Sequence, residues 1–349
     1  MCEVITIGSA TLDAFIETDA ASIVSVSNLN AKKDFMAYPY GSKIEINKFD
    51  FQTGGGGVNA ATNFATLGIK TSTIIKIGNE IHGENIVKTL KGFNVDTSNV
   101  VHSEKYGTGF SIILTSFQGD RTVLAHRGAN AKLKEEDINF DAIKNAKWLY
   151  LAPLNGESTE VLDKVASFAE KNDVKLAINL GSTSIKNGKK NLKSVLKTAE
   201  IIILNKEEAS MLTEISVRPD TKTEKFSRDI IHVDVKTMLK EINDDGNGIV
   251  IITDGKHGAY AYDGEYFYHC GEFPAVVVST LGAGDAFAST FVATILKNGR
   301  NIEKALKYAS VQAASVVENF GAQSGFLNFE EIDRRIKANP YFKVEKIKD

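Results

Sequence analysis

The chain has 349 residues, 43% hydrophobic and 24% charged, with a formal net charge of −3. This is ordinary globular usage, at a length that buries a sizeable core in one large domain or two modest ones. The near-neutral balance gives no nucleic-acid footprint, Cys2 and Cys270 make neither a disulfide framework nor a metal set, and no apolar run resembles a signal peptide or a membrane span, so a cytoplasmic protein with no membrane or nucleic-acid partner is expected.

Residues 4–7 read as a buried strand ending at Gly8. Asp13 follows just past that end, where α/β folds place ligand contacts, although the local pattern by itself favours a surface turn. Residues 14–17 and 43–51 read as extended. Between them, residues 22–41 are rich in Ser, Asn and Lys without a clear period, and read as a loop or insertion.

Gly54, Gly55, Gly56 and Gly57 then run into Val58 and Asn59. Four ordered glycines in a row cost much chain entropy. They would let a small polar ligand touch the backbone, with Asn59 supplying a donor and an acceptor; the alternative is a mobile loop. A helix pattern follows through Ala60, Ala61, Phe64, Ala65 and Leu67, ended by Gly68. The same stretch holds Gly55, Gly57 and Ala60 at the spacing of a dinucleotide fingerprint variant, with a strand at 74–77 and Glu80 near the place of a ribose-binding acid. An NAD-dependent oxidoreductase using Gly55 and Gly57 is therefore an alternative. It leaves the later glycine turn at 282–284 unexplained.

Residues 110–115 and 122–126 read as a hairpin around 116–121. With 14–17 and 43–51 they would form a small separate sheet. Arg127 closes it and either meets an acidic ligand group or stands in solvent. Short apolar runs at 148–151, 176–179, 201–204 and 249–253 then alternate with helical stretches such as 160–171 and 191–198. That alternation implies a parallel sheet covered on both faces, with ligands at the strand C-termini. Asn179, Asn205 and the turn from Thr253 to Gly258 fall at those ends. Asn205 and Glu208, three apart, read as a helix N-cap with first-turn acids, or as an amide and a carboxylate near a hydrated magnesium ion. Residues 214–229 read as an exposed charged loop, 244–248 as a turn, 302–317 as a helix of small residues and 337–349 as a solvated tail.

The chain is organised around residues 275–296. An apolar run at 275–278 reads as a strand, then come Ser279, Thr280, Leu281, Gly282, Ala283, Gly284 and Asp285, then an apolar helix. Free N–H groups at a helix N-terminus attract anions. An acid beside them can take the proton of an attacking hydroxyl while the N–H groups hold charge developing on a phosphate. Alone, the pattern equally fits an N-capping aspartate. The sequence contains no P-loop, no His-Glu-x-x-His and no nucleophile elbow.

Taken in order, Gly54 to Asn59 with Gly68 downstream, Asn205 with Glu208, Thr253 with Gly255 and Gly258, and Ser279 to Asp285 resemble the motifs of the ribokinase-like, or phosphofructokinase-B type, carbohydrate kinases. The resemblance runs from Val4 to about Gly325. It implies an α/β, ribokinase-like fold: a mostly parallel central sheet with helices on both faces plus a small β-sheet lid. It also implies a single kinase domain over 1–330, lid segments at about 14–51 and 107–127, and a C-terminal helix and tail at 331–349. The implied activity is ATP-dependent phosphorylation of a primary hydroxyl on a sugar or sugar-like molecule, with Asp285 as general base and Gly282, Ala283 and Gly284 as anion hole. Asp13, Gly54, Gly55 and Asn59 would hold the acceptor. Thr253, Gly255 and Gly258 would contact the nucleotide, with Asn179 and Asn205 near its phosphates and Glu208 supporting Mg²⁺ through water. A nucleoside kinase of the same fold is the near alternative, with Phe15, Tyr106 and Phe110 as candidates for a base slot. A lid with free edges could also pair with a second copy into a homodimer. Two departures stand out. Ser279 occupies a position where the family usually has Asp, which leaves potassium activation doubtful, and Gly56 occupies the position of a ribokinase Lys, which weighs against ribose.

Overall fold

A computed structural model describes residues 2–27, 32–115, 121–186, 188, 192–217, 231–244, 246 and 248–349. From the N-terminus, β1 (Val4–Ile7), β2 (Thr11–Glu17), β3 (Ser22–Ser27), β4 (Lys32–Ala37) and β5 (Lys48–Gly54) precede α1 (Gly56–Thr66). Then come β6 (Thr71–Ile74), β7 (Lys76–Gly78), α2 (Ile81–Gly92), β8 (Val101–Ser103), β9 (Gly109–Thr115) and β10 (Arg121–His126). The alternating part runs α3 (Phe140–Lys144), β11 (Trp148–Leu151), α4 (Val161–Lys171), β12 (Lys175–Asn179), α5 (Ser182–Lys186), α6 (Lys193–Thr198), β13 (Ile201–Asn205), α7 (Lys206–Thr213), α8 (Val233–Asn243) and β14 (Ile249–Thr253). The chain closes with β15 (Ala259–Tyr262), β16 (Tyr266–Cys270), α9 (Ala283–Asn298), α10 (Ile302–Val317), α11 (Phe329–Ala338) and β17 (Val344–Lys348).

Nine strands form the main sheet in the order β17-β16-β15-β14-β13-β12-β11-β1-β6. The six from β14 to β6 are parallel, and β15, β16 and β17 extend the sheet antiparallel. The apolar runs are continuous because both faces are covered. Successive side chains of one strand serve opposite layers, so Ile202 and Leu204 pack with α4, α6 and α8 while Ile201 and Ile203 pack with α9 and α10. β1 lies between β11 and β6, and the chain winds away from it in both directions. That switch in strand order opens a crevice at the C-terminal edge of the sheet.

A second sheet, β10-β9-β2-β5, stands apart from the main one. The expected hairpin at 110–126 is there, with Thr115 opposite Arg121, and its tip lies outside the described residues. Most of the loop expected at 214–229 and part of the turn at 244–248 also lie outside them.

Three expectations are corrected. Residues 22–41 are not irregular throughout, because β3 and β4 pair antiparallel there; their Ser and Lys residues hid the alternation of Val24, Val26 and Phe35. The apolar run at 275–278 is no strand: Val276, Val277 and Val278 are 79%, 56% and 59% exposed, and the segment pairs with no strand. The tail is not merely solvated, since 344–348 forms β17 and pairs with β16, and Asp349 accepts a hydrogen bond from the Tyr262 hydroxyl at 2.9 Å.

The joint between β1 and α1 sets the crevice floor. Thr6 Oγ1 donates to the Gly57 carbonyl at 3.2 Å, Gly57 N–H donates to the Ser9 carbonyl at 3.0 Å, and Gly56 N–H donates to Ser9 Oγ at 3.1 Å. A Cβ on Gly8 would stand 2.6 Å from the Gly57 nitrogen and 2.7 Å from Ala152 Cβ. Backbone cannot yield there as a flexible side chain does, so Gly8→Ala is expected to destabilise the chain by about 1–3 kcal/mol. Denaturant unfolding checks this through a lower midpoint at unchanged slope.

Candidate active site

Helices α1 and α9 lie side by side, and two polar rungs join them one turn apart. Asn59 Nδ2 donates to Asp285 Oδ2 at 2.8 Å. Four residues on, buried Asn63 donates to Ser289 Oγ at 2.7 Å and Thr290 Oγ1 at 2.8 Å, and accepts from Gln312 Nε2 at 2.6 Å. The i, i+4 repeat puts both rungs on one face of each helix. The upper rung opens on the crevice and the lower is sealed. A Cβ on Gly56 would lie 3.5 Å from Asp285 Oδ1, so the glycine run passes directly over the carboxylate.

Asp285 stands in the first turn of α9, which no side chain caps. Gly282, its N-cap residue, has φ +78° and approaches Ala322 so closely that a Cβ would meet its Cα at 2.6 Å. First-turn N–H groups of a helix have no partner within it, and here they remain for an anion. Burial pushes the Asp285 carboxyl above its ordinary value, and the Asn59 hydrogen bond opposes that. The result is a carboxylate with raised proton affinity next to an anion-binding helix end.

On one side of this point is a cavity of about 420 Å³. Thr253, Gly255 and Gly258 form one rim, and Ala283 and Gly284 the inner end. Its walls are apolar: Phe273, Ala275, Val277, Phe287, Ala313 and Val317. That combination suits a flat heteroaromatic ring with phosphates directed at α9. Sequence reasoning missed these walls, because they come from three separated segments and the nearest, 275–278, looked like a strand. Asn205 and Asn179 follow Thr253 along the sheet edge at the ends of β13 and β12. Asn205 and Glu208 form a reciprocal capping box, with Glu208 N–H donating to Asn205 Oδ1 at 2.8 Å and Asn205 N–H to Glu208 Oε2 at 3.0 Å. Burial raises the Glu208 carboxyl, and the Asn205 and Ser182 backbone groups oppose it. Among the described residues no group of three or more His, Cys, Asp or Glu could hold a metal directly. A hydrated Mg²⁺ that leans mainly on phosphates and one carboxylate still fits Glu208.

On the other side, Asp13 lies within β2, not past a strand end as expected, and faces Gln52 and Ser111 across its neighbours. It is buried, which raises its carboxyl above the ordinary value, against hydrogen bonds to Ser111 and Thr11. Its Oδ2 lies 2.3 Å from where a Cβ of Gly54 would be. Asp13, Gly54, Gly55 and Asn59 are thus together on the small-sheet side of Asp285. Phe15 is not part of an open slot; it packs on Phe320 with centroids 4.7 Å apart. Phe110 packs between Phe51 and His82, and Tyr106 lies under Lys105 and Lys132.

The dinucleotide alternative fails on context. That fingerprint needs a strand and helix of one parallel βαβ unit. β5, which precedes α1, belongs to the small sheet and pairs antiparallel with β2. Glu80 is committed to the backbone, accepting from Thr108 N–H at 2.8 Å.

The chain is similar to known kinases along most of its length. The model of the pfkB family carbohydrate kinases matches residues 20–328. A 5-dehydro-2-deoxygluconokinase of Halalkalibacterium halodurans is 28% identical over 311 residues, covering 84% of this chain and 88% of that one. A ribokinase of Staphylococcus aureus is 25% identical over 284 residues, covering 80% and 87%. The structure of Arabidopsis thaliana ribokinase complexed with ribose and ATP superposes with a TM-score of 0.77 at 22% identity, covering 97% of this chain and 99% of that one.

The raised Asp285 carboxyl has a consequence for stability. The folded chain binds this proton more tightly than the unfolded chain, so stability is lost as pH rises from the unfolded to the folded pKa. The cost is therefore larger at neutral pH than near pH 3. Asp285→Asn removes the charge and keeps an acceptor for Asn59. It is expected to raise Tm at pH 7 and to leave it nearly unchanged near pH 3, as read by thermal melts at the two values. Equal shifts at both would exclude desolvation as the source.

Proposed function

The chain belongs to the pfkB family of carbohydrate kinases, and on that premise we propose that it transfers the γ-phosphoryl group of ATP to a primary hydroxyl of a sugar or sugar-like acceptor, with Asp285 as general base. The observation that carries this reading is the position of Asp285. It sits in the uncapped first turn of α9, bonded to Asn59, between an apolar cavity and the pocket of Asp13 and Gly54.

The acceptor hydroxyl gives its proton to the Asp285 carboxylate as its oxygen bonds to the γ-phosphorus, and the bond from phosphorus to the ADP oxygen breaks. Raised proton affinity suits Asp285 to this task. The N–H groups of Gly282, Ala283 and Gly284 stabilise the charge on the transferring group. Asp13, Gly54, Gly55 and Asn59 hold the acceptor. Thr253, Gly255 and Gly258 border the nucleotide, with Asn179 and Asn205 toward its phosphates. Glu208 would hold Mg²⁺ through water, where the ion would neutralise phosphate charge. The small sheet acts as a lid that excludes water from the reaction.

The acceptor tested first is 5-dehydro-2-deoxygluconate, after the relatives of that name. Ribose comes second, because Gly56 offers no side chain where the family's ribokinase has Lys. Potassium is not assigned a role. Ser279 has no carboxylate, and its hydroxyl already accepts the Leu281 N–H at 3.3 Å. The lid also offers a dimer surface, since Phe49 and Phe51 are exposed together on β5, an edge strand.

Two outcomes test this reading. ADP release from Mg·ATP across sugar acids, pentoses, hexoses and nucleosides should single out one acceptor class, and Asp285→Asn should lower kcat on it by roughly 10²–10⁴-fold. Near-full activity of that variant would remove Asp285 from the mechanism. Separately, Ala313→Phe should fill the apolar cavity and weaken ATP binding by about tenfold or more, a loss of about 1.4 kcal/mol. Calorimetry on the folded variant reads this, and unchanged affinity would place the nucleotide elsewhere.

A further inference from the structure

The turn after α10 touches three parts of the site at once. Gln323 Nε2 donates to Asn59 Oδ1 at 3.1 Å and to the Thr53 carbonyl at 3.0 Å. Its Oε1 accepts from Thr53 Oγ1 at 3.2 Å. Ala322 lies against Gly282, the N-cap of α9. Gln52, beside Thr53 on β5, donates to the Phe320 carbonyl at 3.5 Å, and its Oε1 sits 1.6 Å from where a Cβ of Gly321 would be. One short turn therefore contacts the small sheet, the anion-binding helix end and the partner of the catalytic carboxylate.

The chemistry of the Gln323 amide allows only one orientation. Both its protons have acceptors and its oxygen has a donor. A flip would set Oε1 against Asn59 Oδ1 and the Thr53 carbonyl, two acceptor–acceptor contacts. Fixing Gln323 in turn fixes Asn59. With its oxygen held by Gln323, the Asn59 amide must present Nδ2 to Asp285. Released, the same side chain could turn its oxygen toward the carboxylate, replacing an attraction with a repulsion.

From this geometry we infer that Gln323 is a positioning residue that sets the Asn59 amide toward Asp285 and makes that setting depend on the position of β5. It acts through Asn59 and touches no reacting atom. Thr53 immediately precedes Gly54, which lies over Asp13, so a shift of β5 about the acceptor moves both anchors of the Gln323 amide. The base is then correctly partnered only when the small sheet is in place. This couples acceptor enclosure to proton transfer and guards against transfer to water. The inference rests on Asp285 being the base.

The test combines a titration with kinetics on the full chain. The Asp285 carboxyl resonance is followed by ¹³C NMR, assigned by its loss in Asp285→Asn. Gln323→Leu keeps the shape and removes every hydrogen bond, and its titration midpoint should rise by about one pH unit, the size of one lost hydrogen bond to a charged group. With Mg·ATP and the acceptor that turns over, kcat should fall about 10–100-fold, as for loss of a group that orients a site residue, and the acceptor KM should rise by less than kcat falls, since the turned Asn59 also borders the acceptor. The acid limb of the kcat profile should move up with the titration. Thr53→Val removes only one bond and should shift both readouts less, in the same direction; it carries the test if Gln323→Leu does not fold. A fall in Tm with an unchanged midpoint and unchanged kcat would overturn the inference and leave Gln323 a structural strut. Wild-type turnover by Asp285→Asn would instead sink the base reading, and the midpoint shift would still report on the amide network.

Discussion

The Asn59–Asp285 hydrogen bond joins residues 226 apart in the chain, and the rest of the site depends on it. Among the described residues, one amide proton is the side-chain donor that opposes the burial of this carboxylate. Its alignment cannot come from α1 or α9 alone, because each helix fixes only its own side chains. It comes from the sealed rung beneath, where Asn63 meets Ser289, Thr290 and Gln312. A buried amide with all its groups satisfied is costly to rotate or slide. That lower rung fixes the register of the two helices, and the upper rung inherits it.

The site is also where the fold leaves ordinary requirements unmet. The first turn of α9 has no side-chain cap, and three consecutive valines face solvent. Capping is uneven along the chain: α7 and α11 carry reciprocal boxes at Asn205 with Glu208 and at Asn328 with Glu331, whereas α1, α2, α4, α6 and α8 also start without a side-chain cap. What sets α9 apart is that its uncapped first turn borders the cavity and carries a buried carboxylate, an arrangement that leaves backbone donors open to a ligand.

Local chemistry was legible in the sequence, and long-range chemistry was not. The apolar runs of β11 to β14 announced a covered parallel sheet, because burial on both faces leaves no polar alternation. The glycine turn before Asp285 and the run before Asn59 were visible because few folds tolerate such sequences without a use. Gln323, Thr53 and the walls Phe273, Ala313 and Val317 gave no signal, since each is unremarkable among its neighbours and acquires its role only across the fold. The valines at 275–278 misled for the opposite reason. Their composition is that of a strand, but they pair with no strand among the described residues, and Ala275 and Val277 line a cavity instead.

Under the proposed function, Asn205 and Glu208 are one sequence pattern with two purposes. Their reciprocal bonds are those of any capped helix, and local evidence alone would end the matter there. Yet the cap places a carboxylate of raised proton affinity at the end of β13, whose last residue, Asn205, pairs with Thr253 on the cavity rim. Only one of its oxygens is used by Asn205. The Asn205 and Ser182 backbone groups thereby orient the carboxylate, and the helix it starts holds it rigid. A residue fixed in this way costs little further ordering when a hydrated ion arrives. The structural and the functional account of Glu208 therefore describe the same hydrogen bonds, and removing the cap would disturb both.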